Sequence, residues 1–237
     1  IVQNTLSENN YGIHIELSSG NSLSNNTIKR SEAAGLIFHL SSDNIVVSNN
    51  MTNCNVGIGL SLSDSNIIDR NLIATNIIGI DFSLSDDNII YGNDFIRNNK
   101  QVVTDGLSVN KWNFTYPIGG NYWSDYEGID QYSGPYQNET GSDGIGDTPY
   151  VIDINELFGT SNIDYYPLMR PVIMQSYCLT IVSGIGGTTN PAPGTYTYVN
   201  GTMVSVTAIP EANYMFDRWV LDGSPAGSDN PISVLMN

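Results

Sequence analysis

A single rhythm of 22 to 23 residues constrains the fold of this 237-residue chain more than any other feature. Three columns of residues keep that spacing in register. They are the glycines Gly12, Gly35, Gly57 and Gly79, the asparagines Asn21, Asn44, Asn66 and Asn88, and the asparagines Asn4, Asn26, Asn49, Asn71 and Asn93. Self-similarity at such a period is typical of a solenoid, in which each repeat stacks on its neighbours and shares their core.

Each of these glycines begins a segment of alternating apolar and polar residues: GIHIELS, GLIFHLS, GIGLSLS and GIDFSLS. The alternation predicts a strand with one buried face. Its inward columns would be Ile13, Leu36, Ile58 and Ile80, then Ile15, Phe38, Leu60 and Phe82, then Leu17, Leu40, Leu62 and Leu84. Two further short strands per coil are indicated by the columns Leu23, Val46, Ile68, Ile90 and Ile28, Met51, Ile73, Phe95.

The asparagine columns fit the corners of such coils, where we expect left-handed backbone conformations and amide bonds between neighbouring coils. The predicted fold is all-β: a right-handed single-stranded parallel β-helix with a C-terminal cap, plus a small β-grasp-like domain. A flat β-sandwich is the competing fold, and the in-register asparagines argue against it. We assign residues 1–99 to the coils, 100–174 to an acidic, aromatic-rich cap, and 175–237 to the β-domain, which we expect to be truncated.

The formal net charge of −16 excludes several partners. Nucleic-acid binders need a basic footprint, and an anionic membrane surface would repel this chain. No apolar run is long enough to insert into a bilayer. Cys54 and Cys178 fall in different predicted domains, and their spacing does not indicate zinc.

The cap carries nine acids between Lys111 and Arg170, with no basic residue among them. The segment SDGIGD places Asp143 and Asp147 four residues apart around two glycines, and Ca²⁺ prefers such oxygen ligands. We therefore consider calcium as a cofactor, with Asp143 and Asp147 as first candidate ligands and Asp125 and Asp130 next. The alternative is a tight turn with solvated acids.

Five Asn-x-Ser/Thr sites are candidates for glycosylation: Asn25, Asn50, Asn113, Asn138 and Asn200. They are compatible with a secreted or cell-surface protein.

The Asn-rich coils, followed by GGNYWSDYEGID, SDGIGDTPYVID and IDYYPLM, resemble the ending of NosD-like β-helix proteins over residues 1–171. That resemblance implies a periplasmic or surface location and links the fold to carbohydrate binding and sugar hydrolysis. The namesake proteins assist copper-site assembly, but the two histidines, His14 and His39, stand at different offsets from their glycines. Residues 177–237 resemble the divergent internalin-type B-repeat, a spacer module, in which Phe216 and Trp219 are expected to be core residues.

Catalysis on a β-helix would need acids clustered on the outward face of adjacent coils. The outward columns read His14, Ile37, Gly59, Asp81 and Glu16, His39, Ser61, Ser83, with no stacked carboxylates. Asp64, Asp86 and Asp87 lie at a corner, where they could bind an ion or cap a turn, and we favour the turn role.

The sequence therefore predicts no catalytic residues and favours a non-catalytic extracellular structural module. A carbohydrate-binding module and the remnant of a carbohydrate-active enzyme are the alternatives. Expected partners are other copies or domains of the same surface protein, joined head-to-tail or by strand complementation, and polysaccharide.

Overall fold

The computed structural model describes residues 1–155, 159–173, 176–199 and 202–236. The chain divides into two compact units, residues 1–173 and residues 174–237. All regular elements in the described ranges are strands, so the all-β prediction is confirmed. None of the described residues forms a helix long and apolar enough to cross a bilayer.

The strands of the first unit are short, with two to six residues each. In chain order they are β1 (Thr5–Ser7), β2 (Tyr11–Glu16), β3 (Ser22–Ser24), β4 (Thr27–Lys29), β5 (Ala34–His39), β6 (Ile45–Val47), β7 (Asn50–Thr52), β8 (Val56–Ser61), β9 (Ile67–Asp69), β10 (Leu72–Ala74), β11 (Ile78–Ser83), β12 (Ile89–Tyr91), β13 (Asp94–Ile96), β14 (Lys100–Val103), β15 (Tyr122–Trp123), β16 (Tyr132–Ser133), β17 (Glu139–Thr140), β18 (Tyr150–Asn155) and β19 (Thr160–Asp164).

Three parallel sheets wrap the first unit into a β-solenoid of about four turns, and each coil contributes one strand to each sheet. Their strand orders are β1-β4-β7-β10-β13-β15, β14-β11-β8-β5-β2 and β12-β9-β6-β3. The register is the predicted one: Ile13 pairs with Leu36, and Leu36 with Ile58, each one coil further on. The parallel β-helix prediction is therefore confirmed.

Four of the five predicted apolar columns form the core between the three sheets. Leu36, Phe38 and Ile58 are fully buried, as are the members of the two short-strand columns from Leu23 and Ile28 onward. Stacking like side chains on like buries a surface that one coil could not bury alone.

The glycine column is required by close approach between coils and not by an unusual backbone conformation. A Cβ on Gly57 would lie 2.6 Å from the carbonyl oxygen of Gly79, and one on Gly35 would lie 2.8 Å from that of Gly57. Any larger residue would push neighbouring coils apart, which explains why the glycine recurs at the start of each long strand.

The prediction for Leu17, Leu40, Leu62 and Leu84 was wrong. These side chains are 75%, 44%, 44% and 53% exposed. Each follows the last residue of its long strand and has a φ of 48° to 50°, in the left-handed region. The backbone turns at that residue, so the alternation ends one position earlier and the leucine side chain stacks on the outside of the corner.

The ladder asparagines were also expected in left-handed conformations, and they are not. The left-handed residue stands one position earlier: Asn25, Ser48 and Arg70 have φ values of 54°, 56° and 51°, ahead of Asn26, Asn49 and Asn71. At each corner, one residue therefore adopts the left-handed conformation that turns the chain, and the asparagine that follows directs its side-chain amide into the coil interior.

The cap closes one end of the solenoid with aromatic residues. Trp123 stacks on Phe95 at a centroid distance of 4.3 Å, and on Tyr150 at 4.4 Å from its other face. Trp112 contacts Phe82 edge-on at 5.6 Å. Both tryptophans are buried, so the core continues from the last coil into the cap. The hairpins β16–β17 and β18–β19 are antiparallel.

The second unit is built from antiparallel strands: β20 (Ser176–Ile181), β21 (Gly187–Asn190), β22 (Gly194–Val199), β23 (Met203–Pro210), β24 (Val220–Leu221), β25 (Ser224–Pro225) and β26 (Ile232–Leu235). β20 pairs with β22, β23 lies between β21 and β26, and β24 pairs with β25. Ile181, Val204 and Val206 form its small core. Trp219 packs against that core and contacts Phe216 at 5.0 Å between ring centroids.

Candidate functional site

The polar columns of the coils form hydrogen-bonded ladders. Each asparagine donates its backbone N–H and its Nδ2 to the Oδ1 of the asparagine one coil further on, and for Asn71 and Asn93 both distances are 2.9 Å. One ladder comprises Asn4, Asn26, Asn49, Asn71, Asn93 and Asn121, and the other Asn21, Asn44, Asn66, Asn88 and Asn110. The Oγ atoms of Ser41, Ser63, Ser85 and Ser108 form a third. These side chains are used for structure and are not available for chemistry.

Both asparagine ladders end on the cap strand β19. The N–H of Asn110 donates to Asn162 Oδ1 at 2.9 Å, and the N–H of Asn121 donates to Asp164 Oδ2 at 2.7 Å. The indoles of Trp112 and Trp123 donate to these same two oxygens at 2.9 Å. An aspartate side chain suits the final rung because, unlike asparagine, it has no Nδ2 donor that would need a further acceptor.

Sequence reasoning missed these two terminal acceptors, although a signal was present. Asn110 and Asn121 each stand two residues before a tryptophan, and Asn162 stands two residues before Asp164. The matched pairs indicate two ladders finishing side by side on one strand.

Asp164 is fully buried. Burial raises the pKa of its carboxyl to about 7, although hydrogen bonds from the Asn121 N–H, the Trp123 indole and the Tyr166 N–H work in the opposite direction. The free energy of unfolding of the first unit is therefore linked to pH near neutrality.

We predict that the first unit becomes less stable as the pH rises from about 5 to about 8, by about 2–3 kcal/mol. Because the folded-state pKa of Asp164 lies above the unfolded value of 3.8, its contribution is complete below about pH 4 and is lost as the pH rises through about 7. Melting temperatures across this range would show the slope. Asp164→Asn should remove this dependence of the melting temperature on pH, whatever the absolute stability of the variant. An unchanged slope in this variant would rule out Asp164 as the source of the pH dependence.

The outward face of the long-strand sheet has the predicted columns. His14, Ile37, Gly59 and Asp81 are in register, as are Glu16, His39, Ser61 and Ser83. Burial raises the pKa of Asp81, and the nearby carboxylate of Asp105 raises it further. The oxygens of Asp105 accept the N–H groups of Leu84, Leu107 and Ser108.

The corner acids accept hydrogen bonds from the backbone of the next coil. The N–H of Asp86 donates to Asp64 Oδ1 at 2.8 Å, and the N–H of Val109 donates to Asp86 Oδ1 at 2.7 Å. The turn role favoured for this column stays a prediction.

Copper ligands do not converge in the described residues. Copper sites use His, Cys and Met, and within the described ranges no group of three or more His, Cys, Asp or Glu side chains could hold a metal ion. His14 contacts the Tyr11 ring, His39 is paired with Glu16 in the sheet, and Cys54 is buried in the core. The residues that the structure describes thus do not fit a copper centre.

The acids considered as calcium ligands tie two loops of the cap together. Asp130 accepts the N–H groups of Asp143 and Gly144 at 3.1 and 2.8 Å. Asp147 accepts those of Gln131 and Tyr132 at 2.9 and 3.1 Å.

The remaining two acids of that set lie in different surroundings. Asp143 accepts from the Gly134 N–H at 3.2 Å and from Gln137 Nε2 at 3.1 Å, in the same pair of loops. Asp125 lies apart and accepts from Gln101 and the Tyr150 hydroxyl. Calcium binding at these four acids stays a prediction.

The two loops that these aspartates connect border a groove on the cap surface with a volume of about 410 Å³. Tyr136, at the tip of the turn 134–137, is 83% exposed, and Tyr165, directly after β19, is 53% exposed. Both line the groove. The sequence did not indicate it, because its walls come from segments that are far apart in the chain and outside the repeat.

The glycosylation candidates differ in exposure. Asn25 and Asn138 are exposed, whereas Asn50 and Asn113 are half-buried. Asn113 Nδ2 also donates to the Phe114 carbonyl at 2.8 Å, and its Oδ1 accepts the Tyr165 N–H at 3.3 Å. Asn200 lies outside the described residues. Use of these sites stays a prediction.

Two family profiles match the chain. A profile described as periplasmic copper-binding protein (NosD) matches residues 1–128, and one described as a divergent InlB B-repeat domain matches residues 177–237. A search of curated proteins found no significant match. The first profile covers more than half of the chain and agrees with the parallel coils, and so the chain belongs to the NosD family of parallel β-helix proteins.

Proposed function

We propose that this chain is a non-catalytic structural module of an extracellular or periplasmic surface protein. The proposal rests on the hydrogen bonds that the polar side chains of the coils make. The recurring asparagines and serines, which in an enzyme of this shape could build a site, donate and accept along the ladders from the first coil to Asn162 and Asp164.

The two family matches support the location. One profile is described as periplasmic and the other as a B-repeat, a domain type associated with cell surfaces. A net charge of −16 suits a protein that remains dispersed in the medium and does not adhere to anionic lipid.

The ladders also favour a rigid spacer. Every coil is linked to the next by three sheets and by side-chain bonds, and the asparagine donors at Asn26, Asn49 and Asn66 are buried. Local opening of one coil would leave amides of two coils without partners, which raises its free energy. Such a structure suits a rigid rod that displays an appended domain.

A test of the non-catalytic assignment uses the purified full chain. Incubated with neutral polysaccharides and with polygalacturonate, it should release no new reducing ends and no unsaturated products. Turnover of any of these polymers would contradict the proposal. Its location can be tested on producing cells with a membrane-impermeant biotin reagent. The reagent should label the chain either on intact cells or after an outer envelope has been opened.

The calcium hypothesis has its own test. Melting curves with and without EDTA should differ if Asp130, Asp143 and Asp147 hold an ion, and should coincide if these acids act only through the N–H groups described above. Asp143→Asn should remove any such difference and Asp125→Asn should keep it, because Asp125 bonds to Gln101 and Tyr150 and not to these loops.

Association with other copies of the chain is also part of the proposal. β1, β2 and β3 lie at the edges of their sheets, and edge strands present backbone groups that another strand can pair. Sedimentation equilibrium over a wide concentration range should show a concentration-dependent rise in mass, and a constant monomer mass would contradict this part.

A further inference from the structure

The leucines that point away from the core form a continuous apolar row along one corner of the solenoid, here called the leucine stripe. Its members are Leu17, Leu40, Leu62, Leu84 and Leu107, and each directly precedes one rung of the serine ladder that starts at Ser18. Because the bonds of that ladder join successive coils, the leucines lie one above another, about 4.8 Å apart. Stacking covers part of each side chain, and 44% or more of each stays exposed.

The local structure does not require leucine at these positions. Leu17, Leu40, Leu62 and Leu84 have a left-handed backbone, which is unfavourable for a bulky apolar residue and better tolerated by asparagine. Elsewhere in the coils the left-handed residues are polar or glycine: Gln3, Glu8, Gly20, Asn25, Arg30, Asp43, Ser48, Asn53, Ser65, Arg70, Thr75, Asp87, Gly92 and Arg97. Neither the turn nor the core therefore explains why leucine recurs at this corner.

Acidic side chains border the leucine stripe. The five segments that carry it read ELSSG, HLSSD, SLSDS, SLSDD and DGLSV, with six acids and neither lysine nor arginine. Asp64 and Asp86 are exposed on adjacent coils, in register with each other. An apolar row beside carboxylates is complementary to a partner that carries apolar and basic side chains. Two copies paired through their stripes would instead bring the acids of one close to the acids of the other.

The spacing of the leucines favours a helical partner over an extended one. An α-helix that lies along the stripe presents a row of side chains about 5.4 Å apart, one per turn, which is close to the coil spacing. An extended strand presents the side chains of one face about 6.7 Å apart, so it falls out of step with the leucines after two of them. Amphipathic helices supply the required apolar row.

We propose that the leucine stripe binds a cationic amphipathic α-helix of a partner protein, about four turns long and parallel to the solenoid axis. The apolar row of the helix packs on the leucines, and its lysines or arginines pair with the neighbouring carboxylates. In Asp64 and Asp86, Oδ1 accepts a backbone N–H, and Oδ2 can accept from a cation. The stripe is as fixed as the coils themselves, so little conformational entropy is lost on binding. This inference is independent of the scaffold role.

The test is fluorescence anisotropy of the full chain with a labelled 18-residue peptide of leucine and lysine, in which the leucines occupy one helical face. The peptide should bind, and Leu62→Asn with Leu84→Asn should weaken its binding by about tenfold or more. Asparagine suits the left-handed backbone, so the melting temperature of this variant should not fall. Ile77→Ser with Ile118→Ser is the matched control: both isoleucines are about half exposed, outside the stripe, and the affinity should stay within about threefold.

The contribution of charge is measured separately. Asp64→Asn with Asp86→Asn keeps the oxygens that accept the backbone N–H groups and removes two carboxylates. It should weaken binding by about threefold or more. Glu211→Gln with Asp229→Asn removes two exposed acids from the second unit and should leave the affinity unchanged.

The proposal is overturned if the peptide does not bind, or if the leucine variant binds it as tightly as the unchanged chain. Equal binding of a peptide of the same composition with its leucines scattered around the helix would also overturn it, because charge alone would then explain the affinity. Co-sedimentation with phosphatidylcholine vesicles that the leucine variant loses would make a lipid surface the partner. A fall in the sedimentation mass of that variant would make a second copy the partner. Either result contradicts the proposal.

Discussion

Replacing Asn71 by alanine is expected to lower the free energy of unfolding of the first unit by about 3–5 kcal/mol. The buried Asn71 side chain accepts from the N–H and Nδ2 of Asn49, and its own Nδ2 donates to Asn93 and to the carbonyls of Val46 and Asp69. Alanine would leave the Asn49 N–H buried without its acceptor, and it would remove one bond each from Asn49 Nδ2, Asn93 Oδ1 and the two carbonyls. A buried polar group without a partner costs about 1–3 kcal/mol before relaxation.

Differential scanning calorimetry checks this expectation. For a unit of this size the loss corresponds to a melting temperature lower by about 10 °C. Asn55→Ala is the matched control: Asn55 lies in the same region of the coils, its side chain is exposed, and the substitution should change stability by less than about 0.5 kcal/mol. Equal effects of the two substitutions would show that the ladder does not stabilise the coils.

Gly57→Ala is expected to have an effect of similar size for a different reason. The new Cβ would lie 2.6 Å from the Gly79 carbonyl oxygen, 2.9 Å from Ile73 Cγ2 and 3.0 Å from Asn76 Nδ2. Gly79 belongs to a sheet that extends across the coils, and Asn76 Nδ2 is held by bonds to the Met51 carbonyl and to Asn98 Oδ1, so relief requires the coils to separate. We expect a loss of about 3 kcal/mol or more.

Denaturant unfolding followed by the fluorescence of Trp112 and Trp123 would measure this loss, because both tryptophans are buried in the first unit. Gly184→Ala serves as control: an added Cβ there meets nothing within 4 Å, and it should be neutral or slightly stabilising. If Gly57→Ala were equally neutral, close approach of the coils could not be the reason for the glycine column.

The repeat could be predicted because the same physical constraint acts once in every coil. Leu36, Ile58 and Ile80 are buried for one reason, so their common spacing reveals it. The leucine column from Leu17 to Leu84 shares that spacing and was nevertheless assigned to the wrong side. Periodicity identifies equivalent positions, but it does not reveal the residue at which the backbone turns into the left-handed region.

The cap could not be predicted in the same way, because each of its contacts occurs once. Asp94 lies in a coil strand and accepts the N–H groups of Val172 and Ile173, 78 and 79 residues further along the chain. Asp164 lies 43 residues after the asparagine that it caps. The groove likewise depends on single contacts, such as that between the Tyr166 hydroxyl and Pro135.

The acids of the cap illustrate a further limit of composition. Nine acids without a nearby base suggested a bound cation. In the structure Asp130, Asp143 and Asp147 accept backbone N–H groups, which also stabilise a negative charge. A count of charges does not distinguish these two ways of stabilising a carboxylate, because backbone donors are invisible in composition.

Amide hydrogen exchange measured by NMR tests the central claim most directly, namely that the asparagine columns are structural ladders. The backbone N–H groups of Asn49, Asn71 and Asn93 donate to the side chain of the next rung. They should exchange only through global unfolding of the first unit, with one common free energy of opening under native conditions. Exchange of these three amides at rates typical of an unfolded chain would contradict the account.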